Sequence, residues 1–509
     1  MHNLTFVSAL KSACKDTIKN GLKRAHHSEK NFIFAAVFKV NSMKYIKFAI
    51  VLILSAIVPF VACAQNGGVT PEMLKNIQDS YKSSPENKAL QNAIAGNDIN
   101  KIALNFENEA QFDTYFSHRV PSQAVTDQKS SGRCWLFTGL NVLRAKAIAK
   151  YDLPADFQFS QVYLFFWDQL EKSNLFLQAI IDTRKSPMED KTVEWLFKNP
   201  IGDGGQFTGV ANLIDKYGVV PAEAMRETNS SNKTSTMSSV LSLKLREYGL
   251  ELREMGAKKG VTEAQLQQRK QEMLKVVYKI LALNFGEPPA EFSWTQRDKS
   301  GKPVETATYT PASFREKFAN VDFSTFSMIM NDPTREYYKV YEIEYDRHVY
   351  DGDNWKYLNL PMEEIAPLAI ASIKDSTMMY FSCDVGKFLN RDKGFMDVNN
   401  YDYASLFGID FKMDKKQRVS TFASGSSHAM TLCAVDLDAN GQPKKWMVEN
   451  SWGSNYGYKG FLIMTNEWFN EYMFRVVIES KYIPEKYLKM FEDKPIMLPA
   501  WDPMFAPEE

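Results

Sequence analysis

Residues 128–137 read Gln128-Lys129-Ser130-Ser131-Gly132-Arg133-Cys134-Trp135-Leu136-Phe137. Apolar residues recur at helical spacing from Cys134 to Lys150, so the cysteine is predicted to begin a helix. A thiol at a helix N-terminus lies at the positive end of the helix dipole, which lowers its pKa and favours the nucleophilic thiolate. The amide of Gln128 would then donate a hydrogen bond to an oxyanion beside the sulfur. The alternative is a buried structural cysteine, because free cysteine is among the most buried residue types.

The composition excludes several classes of protein. The chain has 509 residues, and its 61 Lys and Arg residues balance its 61 Asp and Glu residues. No bulk basic field therefore indicates nucleic-acid binding. The five cysteines are too few and too scattered for a disulfide framework or a zinc knuckle. We expect no metal and no cofactor.

Residues 43–64 have the layout of a signal peptide. They begin with Met43 and two lysines, continue with a short apolar run and end in a small-residue exit at Ala64. The run is too short for a comfortable membrane span. We expect cleavage after Ala64 and a periplasmic or secreted protein; the alternative is a lipid anchor on Cys63. Residues 1–42 are a doubtful N-terminal extension, because a secretory signal should begin near the first methionine. The alternative for them is an organelle-type presequence.

Composition divides the rest of the chain into segments. Asn and Ser accumulate from residue 228, long charged helical patterns follow, and strand patterns dominate from about residue 341. The predicted segments are an N-terminal stretch (65–115), a helical half with Cys134 (116–227), an inserted helical subdomain (228–340), a β-rich half (341–485) and a C-terminal arm (486–509).

Two downstream motifs favour catalysis. After removal of the leader, the candidate histidine bases are His118, His348 and His428. His428 begins a predicted strand in Ser-Ser-His-Ala-Met, and Asn450 ends the next one in Val-Glu-Asn-Ser-Trp-Gly. Adjacent antiparallel strands would let the Asn450 oxygen accept from one imidazole nitrogen while the other nitrogen faces Cys134. That arrangement supplies a nucleophile, a base and an orienting group.

Together these motifs resemble the papain-like cysteine peptidases, and within them the bleomycin hydrolase or aminopeptidase C branch. The resemblance covers the chain from about residue 70 to the end. Its carriers are Gln128 to Phe137, Asp203-Gly204-Gly205-Gln206, Asn284-Phe285-Gly286-Glu287-Pro288-Pro289, Ala371-Ser372-Ile373-Lys374-Asp375, Cys383-Asp384-Val385-Gly386-Lys387, His428-Ala429-Met430, Val448-Glu449-Asn450-Ser451-Trp452-Gly453 and Leu498-Pro499-Ala500-Trp501-Asp502-Pro503-Met504. It implies an α+β papain-like fold with a helical left domain, a β-barrel-like right domain, a helical insertion and a C-terminal arm.

The resemblance also implies a role for each matched residue. Cys134 would be the nucleophile and His428 its base and later its acid. Asn450 would orient the imidazole, and Gln128 with the backbone N–H of Cys134 would form the oxyanion hole. Trp452 would shield the hydrogen bond between His428 and Asn450 from water.

Substrate binding follows from the same resemblance. Gly204 and Gly205 match the loop along which a substrate backbone lies, where the lack of a Cβ allows close approach; an ordinary loop before a helix is the alternative. In the family the terminal carboxylate, here that of Glu509, meets the α-ammonium of the substrate. The ending Phe505-Ala506-Pro507-Glu508-Glu509 departs from the small apolar residues with which the family's chains end. Ser131 stands where typical papains carry a disulfide-forming cysteine, so a reduced core is expected.

The expected function is that of a thiol-dependent aminopeptidase. Its substrates would be short peptides, or amide analogues such as bleomycin, with a free N-terminus, and it would work through an acyl-enzyme thioester. The resemblance further implies a homo-hexameric barrel with internal active sites. One alternative is an endopeptidase or carboxypeptidase-like enzyme, if the altered tail leaves the cleft open. The other is a non-catalytic binding protein of the same fold.

Overall fold

The computed structural model describes residues 67–121, 124–502 and 504. The predicted extension (1–42), the signal peptide (43–64) with Cys63, and Glu509 lie outside the described residues. The chain divides after Gly96 into two compact units. The first contains the helices Pro71–Ser80 and Pro85–Gly96, neither of which has a buried residue.

The second unit places its longest buried helices around the predicted nucleophile. Helix Cys134–Tyr151 has buried residues on all sides, as expected of a core helix. Helix Gln161–Asp182 begins after Ser160, whose hydroxyl accepts the N–H of Tyr163 at 3.2 Å. The other α-helices of this unit are Ile99–Ala103, Lys191–Lys198, Phe207–Tyr217, Asn229–Asn232, Ser235–Ala257, Glu263–Phe285, Pro311–Phe318, Met362–Lys374, Tyr403–Phe407, Lys415–Ser420, Asn466–Tyr472 and Glu485–Leu488.

A helical hairpin occupies much of the predicted insertion. Helices Ser235–Ala257 and Glu263–Phe285 pack on Gln161–Asp182. Thr262 starts the second of them with a capping box to Gln265. The hairpin therefore extends the core of the helical half.

The strands, in chain order, are β1 His118–Arg119, β2 Phe292–Arg297, β3 Pro303–Tyr309, β4 Phe326–Met330, β5 Lys339–Ile343, β6 Lys356–Asn359, β7 Met379–Cys383, β8 Leu389–Asn390, β9 Phe395–Met396, β10 His428–Leu437, β11 Pro443–Glu449, β12 Phe461–Thr465, β13 Met473–Glu479 and β14 Ile496–Leu498. Strands β2 and β3 form a separate hairpin. Strand β4 lies in the central sheet, so the segment 228–340 is not purely helical.

In the described part of the chain, the central sheet has 12 strands in the order β14-β5-β6-β4-β13-β7-β10-β11-β12-β9-β8, with β1 paired to β10. Strands β10 and β11 are antiparallel, with Thr431 opposite Glu449. This register brings the start of β10 to the end of β11. The nucleophile helix packs against β10. The predicted α+β class is confirmed. Over the residues described here, no helix combines the length and apolar character that a membrane crossing requires.

Candidate active site

His428 and Asn450 are in direct contact where β10 begins and β11 ends. The imidazole Nε2 lies 2.8 Å from Asn450 Oδ1. Because an amide oxygen can only accept, Nε2 carries the hydrogen and Nδ1 keeps a free lone pair. The Trp452 ring stacks on the imidazole at 4.7 Å between centroids. Both the contact and its aromatic cover thus have the geometry that the sequence predicted.

The helix that begins with Cys134 packs against β10, the strand that begins with His428. Cys134 is the first residue of its helix and is half-buried. The backbone N–H groups of Trp135 and of Ala429, the residue after His428, lower the pKa of the Cys134 thiol. The structure therefore brings the start of the nucleophile helix to the start of β10, although the two residues are far apart in the chain.

Burial favours the neutral form of both reacting groups. Loss of hydration raises the pKa of the Cys134 thiol to about 11, although the Ala429 and Trp135 N–H groups lower it. Burial also lowers the pKa of His428 to about 4, against the opposing effect of the Asn450 hydrogen bond. The predicted net lowering of the thiol pKa by the helix N-terminus is therefore wrong, because desolvation outweighs it.

Gln128 is held by hydrogen bonds at both ends of its amide. Its Oε1 accepts from the Ser451 hydroxyl at 2.5 Å, and its Nε2 donates to the Ser131 carbonyl at 2.6 Å. The second hydrogen of Nε2 remains for another acceptor. The first N–H groups of a helix, including that of Cys134, have no intrahelical acceptor. These two donors have the chemistry of an oxyanion hole.

Asp203 connects the nucleophile turn to the glycine loop, here residues 202–205. Its carboxylate accepts the Gly132 N–H at 2.7 Å and the Thr234 hydroxyl at 2.5 Å. Its carbonyl accepts the Trp135 indole N–H at 2.9 Å. A Cβ on Gly132 would overlap the Asp203 carboxylate, which explains the glycine.

Gly204 and Gly205 differ in the space that a Cβ atom would have at each position. A Cβ on Gly204 would meet no atom within 4 Å, whereas one on Gly205 would overlap His348 and Trp135. The Lys172 ammonium donates to the Gly204 carbonyl at 2.6 Å. Both glycines line a cavity of about 430 Å³ that extends to Ala500 and Met504 of the C-terminal arm.

The other two candidate histidines lie elsewhere. His348 is buried with its Nδ1 2.5 Å from Asp168 Oδ1, behind the glycine loop. His118 lies in β1 and contacts the Ser117 hydroxyl at 3.1 Å. Of the three, His428 is the one whose contacts suit a base for Cys134.

Arg133, Ser451 and Asp203 stand in motifs that the sequence analysis quotes, but their contacts were not predicted. Arg133 is fully buried and ion-paired to Glu227 at 2.9 Å. Ser451 holds Gln128 in position, and Asp203 holds Gly132. The spacing of apolar and polar residues in a sequence does not predict contacts of this kind. The cysteines of the described residues are Cys134, Cys383 and Cys433, and no disulfide joins any two of them. No group of three or more His, Cys, Asp or Glu side chains in these residues could hold a metal ion.

Comparison with known proteins agrees with this geometry. The family model described as the Peptidase C1-like family matches residues 68–505. Bleomycin hydrolase of Mus musculus is 37% identical over 452 residues, 87% of this chain and 99% of that protein. Aminopeptidase E of Lactobacillus helveticus is 37% identical over 435 residues, 85% of this chain and 98% of that protein. The crystal structure of PepW from Lactobacillus rhamnosis HN001 covers 86% of this chain and 99% of that one, with a TM-score of 0.83 and 36% identity. The predicted resemblance is confirmed, and the chain belongs to the Peptidase C1-like family.

Proposed function

We propose that this chain is a thiol-dependent aminopeptidase that removes N-terminal residues from short peptides. The observation that carries the proposal is the contact of 2.8 Å between His428 Nε2 and Asn450 Oδ1. It lies at the start of β10, the strand on which the helix that begins with Cys134 packs. Names of relatives, aminopeptidase E among them, support the exopeptidase assignment. Amides such as bleomycin are included as candidate substrates because a relative bears that name.

The proposed mechanism begins from a neutral thiol and a neutral imidazole. As the sulfur attacks the scissile carbonyl, the thiol proton passes to His428 Nδ1, and the oxyanion accepts from Gln128 Nε2 and the Cys134 N–H. His428 then gives the proton to the leaving amine, which leaves a thioester on Cys134. Water deprotonated by His428 attacks the thioester and restores the thiol. Asn450 keeps Nδ1 directed at the sulfur through the Nε2 hydrogen bond.

Alkylation with iodoacetamide tests the nucleophile. We expect loss of peptidase activity with one label per chain, on Cys134. Cys383→Ala and Cys433→Ala are matched controls, because both thiols are buried, and they should retain activity and label. An unreactive Cys134, or activity in Cys134→Ala, would contradict the proposal and favour a binding protein.

A pair of fluorogenic substrates tests the exopeptidase assignment. A substrate with a free N-terminus should be cleaved and its N-acetylated form should not. Equal turnover of the two would make the enzyme an endopeptidase.

We also propose that the chain is exported after cleavage following Ala64, with lipid attachment at Cys63 as the alternative, and that it assembles as a hexamer. The signal-like layout of residues 43–64 supports export. Mass spectrometry of the mature N-terminus and native mass spectrometry of the assembly test these two points separately.

A further inference from the structure

The turn before the nucleophile contains a chain of hydrogen bonds that ends at Gln128. Arg133 Nε donates to the hydroxyl oxygen of Ser131 at 3.0 Å. That hydroxyl donates in turn to the Gln128 carbonyl at 2.6 Å, and the Ser131 carbonyl accepts from Gln128 Nε2. Ser131 therefore holds both the backbone and the side chain of Gln128, and Arg133 holds Ser131.

Arg133 is itself fixed on its faces and at its end. It is fully buried, and its guanidinium carbon lies 5.2 Å and 5.4 Å from the ring centroids of Phe137 and Phe165. Its Nη1 donates to Glu227 Oε1 at 2.9 Å, and its Nη2 lies 2.9 Å from Glu227 Oε2. A buried cation needs such a partner, because loss of hydration otherwise penalises its charge. The planar fork of arginine binds the carboxylate and leaves Nε for Ser131.

Glu227 is held by the residues that begin the predicted insertion. The Ser231 hydroxyl donates to Glu227 Oε2 at 2.6 Å. Ser231 lies in the short helix Asn229–Asn232, which starts with a capping box. The carbonyl of Asn232 accepts the Ser130 N–H at 3.0 Å. The start of the insertion therefore contacts the nucleophile turn through both side chains and backbone.

We propose that Arg133 positions Gln128 for the oxyanion hole, acting through Ser131 and anchored by Glu227. This inference rests on the proposed function, in which Gln128 Nε2 donates to the oxyanion. A donor of this kind is effective only when it is held in advance where the charge develops. Arg133 is a positioning residue, because its hydrogen bonds go to Ser131 and Glu227.

The central experiment compares Arg133→Met with wild type on a fluorogenic peptide that has a free N-terminus. Methionine fills the space between the two phenylalanine rings without a charge, and Glu227, whose side chain is 28% exposed, can be hydrated. We expect kcat to fall by about 10- to 100-fold, less than the 10²- to 10³-fold expected on loss of the donor itself. KM should stay within about twofold, because the donor acts on the oxyanion and not on the bound peptide.

The Gln128→Ala background separates positioning from a merely structural role. There, Arg133→Met should lower kcat by less than about twofold, since its effect passes through the missing amide. A structural role would lower kcat by the same factor in both backgrounds, and that result would overturn the inference. An inactive wild type would overturn the proposed function itself, whereas equal factors in an active enzyme overturn the inference alone.

Ser131→Ala is a second variant that breaks the chain and leaves the ion pair intact. Its kcat should fall by about 3- to 10-fold, as fits the loss of a hydrogen bond, and again only when Gln128 is present. If Arg133→Met fails to fold, an unchanged kcat in Ser131→Ala still overturns the inference.

Arg269→Met is the matched control. Arg269 donates to both carboxylate oxygens of Glu251, at 2.6 Å and 3.0 Å, within the helical hairpin. The same substitution there removes an arginine–glutamate pair of the insertion without removing a contact of the nucleophile turn. Its kcat should stay within about twofold of wild type. A loss as large as that of Arg133→Met would mean that any damage to the insertion lowers kcat, which would contradict the specific role of Arg133.

Discussion

At the scale of single residues, the amide of Gln128 is a part of the site whose position is fixed by hydrogen bonds at both of its ends. Ser451 and Ser131 hold its two ends, so the remaining N–H is directed without further rearrangement. Gln128→Ala should lower kcat by about 10²- to 10³-fold with little change in KM, since the lost donor acts on the oxyanion. Steady-state kinetics on a free dipeptide amide measures this. Ser451→Ala is the comparison variant. It keeps the Nε2 donor of Gln128 but removes the hydrogen bond to Gln128 Oε1, so its kcat should fall by less. A wild-type kcat in Gln128→Ala would remove this residue from the oxyanion hole.

His428 provides a prediction about protonation. Its pKa of about 4 in the folded chain lies below the ordinary value of 6.5, because burial penalises the imidazolium. The unfolded chain therefore binds the proton more tightly, and stability should fall as pH decreases from about 6.5 to 4. Histidine-selective NMR titration should show His428 neutral at pH 5. Asn450→Ala should lower this pKa further, since the hydrogen bond raises it. Titration near 6.5 would mean that water reaches the ring.

At the scale of elements, the glycine loop offers two adjacent positions with different surroundings. Gly204→Ala adds a methyl group to open space in the cavity, whereas Gly205→Ala places one into His348 and Trp135. The first should raise KM without lowering the melting temperature, because the Cβ obstructs only the substrate backbone. The second should lower the melting temperature by several degrees, as overpacking costs about 1–3 kcal/mol. Calorimetry and kinetics on both variants check this. Equal KM values for Gly204→Ala and wild type would indicate an ordinary loop.

Local patterns determined which elements could be predicted. Apolar runs on both sides of the turn sequence Asp438-Ala439-Asn440-Gly441 predict strands β10 and β11. The antiparallel pairing of these strands brings His428 to Asn450. The pair His348–Asp168 was not foreseen, since 180 positions separate the two residues and neither lies in a motif. The spacing of residues in the sequence predicts which side chains are neighbours on one helix or strand. Contacts between distant segments depend on tertiary packing, which the spacing does not give.

At the scale of the whole molecule, the nucleophile helix and the sheet are joined by a buried ion pair. Arg144 Nη2 lies 2.9 Å from Glu449 Oε1, and the two side chains are 1% and 2% exposed. Arg144 also donates to the Ala124 carbonyl. Glu449 immediately precedes Asn450. The ion pair therefore connects the packing of the helix on the sheet with the contact between Asn450 and His428. Its integrity should affect stability and activity together.

A double-mutant cycle tests this connection. At pH 8, above the pKa of about 7 to which burial raises Glu449, Arg144→Met and Glu449→Met should each lower the free energy of unfolding by about 3–5 kcal/mol, because each leaves a buried charge unpaired. The double variant should lose much less than the sum, since two apolar side chains fill the site without a charge. Urea unfolding measures the free energy of unfolding of each variant. The kcat of each variant shows whether loss of the ion pair also disturbs the contact between His428 and Asn450. Additive losses would mean that the two side chains stabilise their own elements independently. The helix that supplies the sulfur and the strand that supplies the asparagine would then owe their alignment to apolar packing alone.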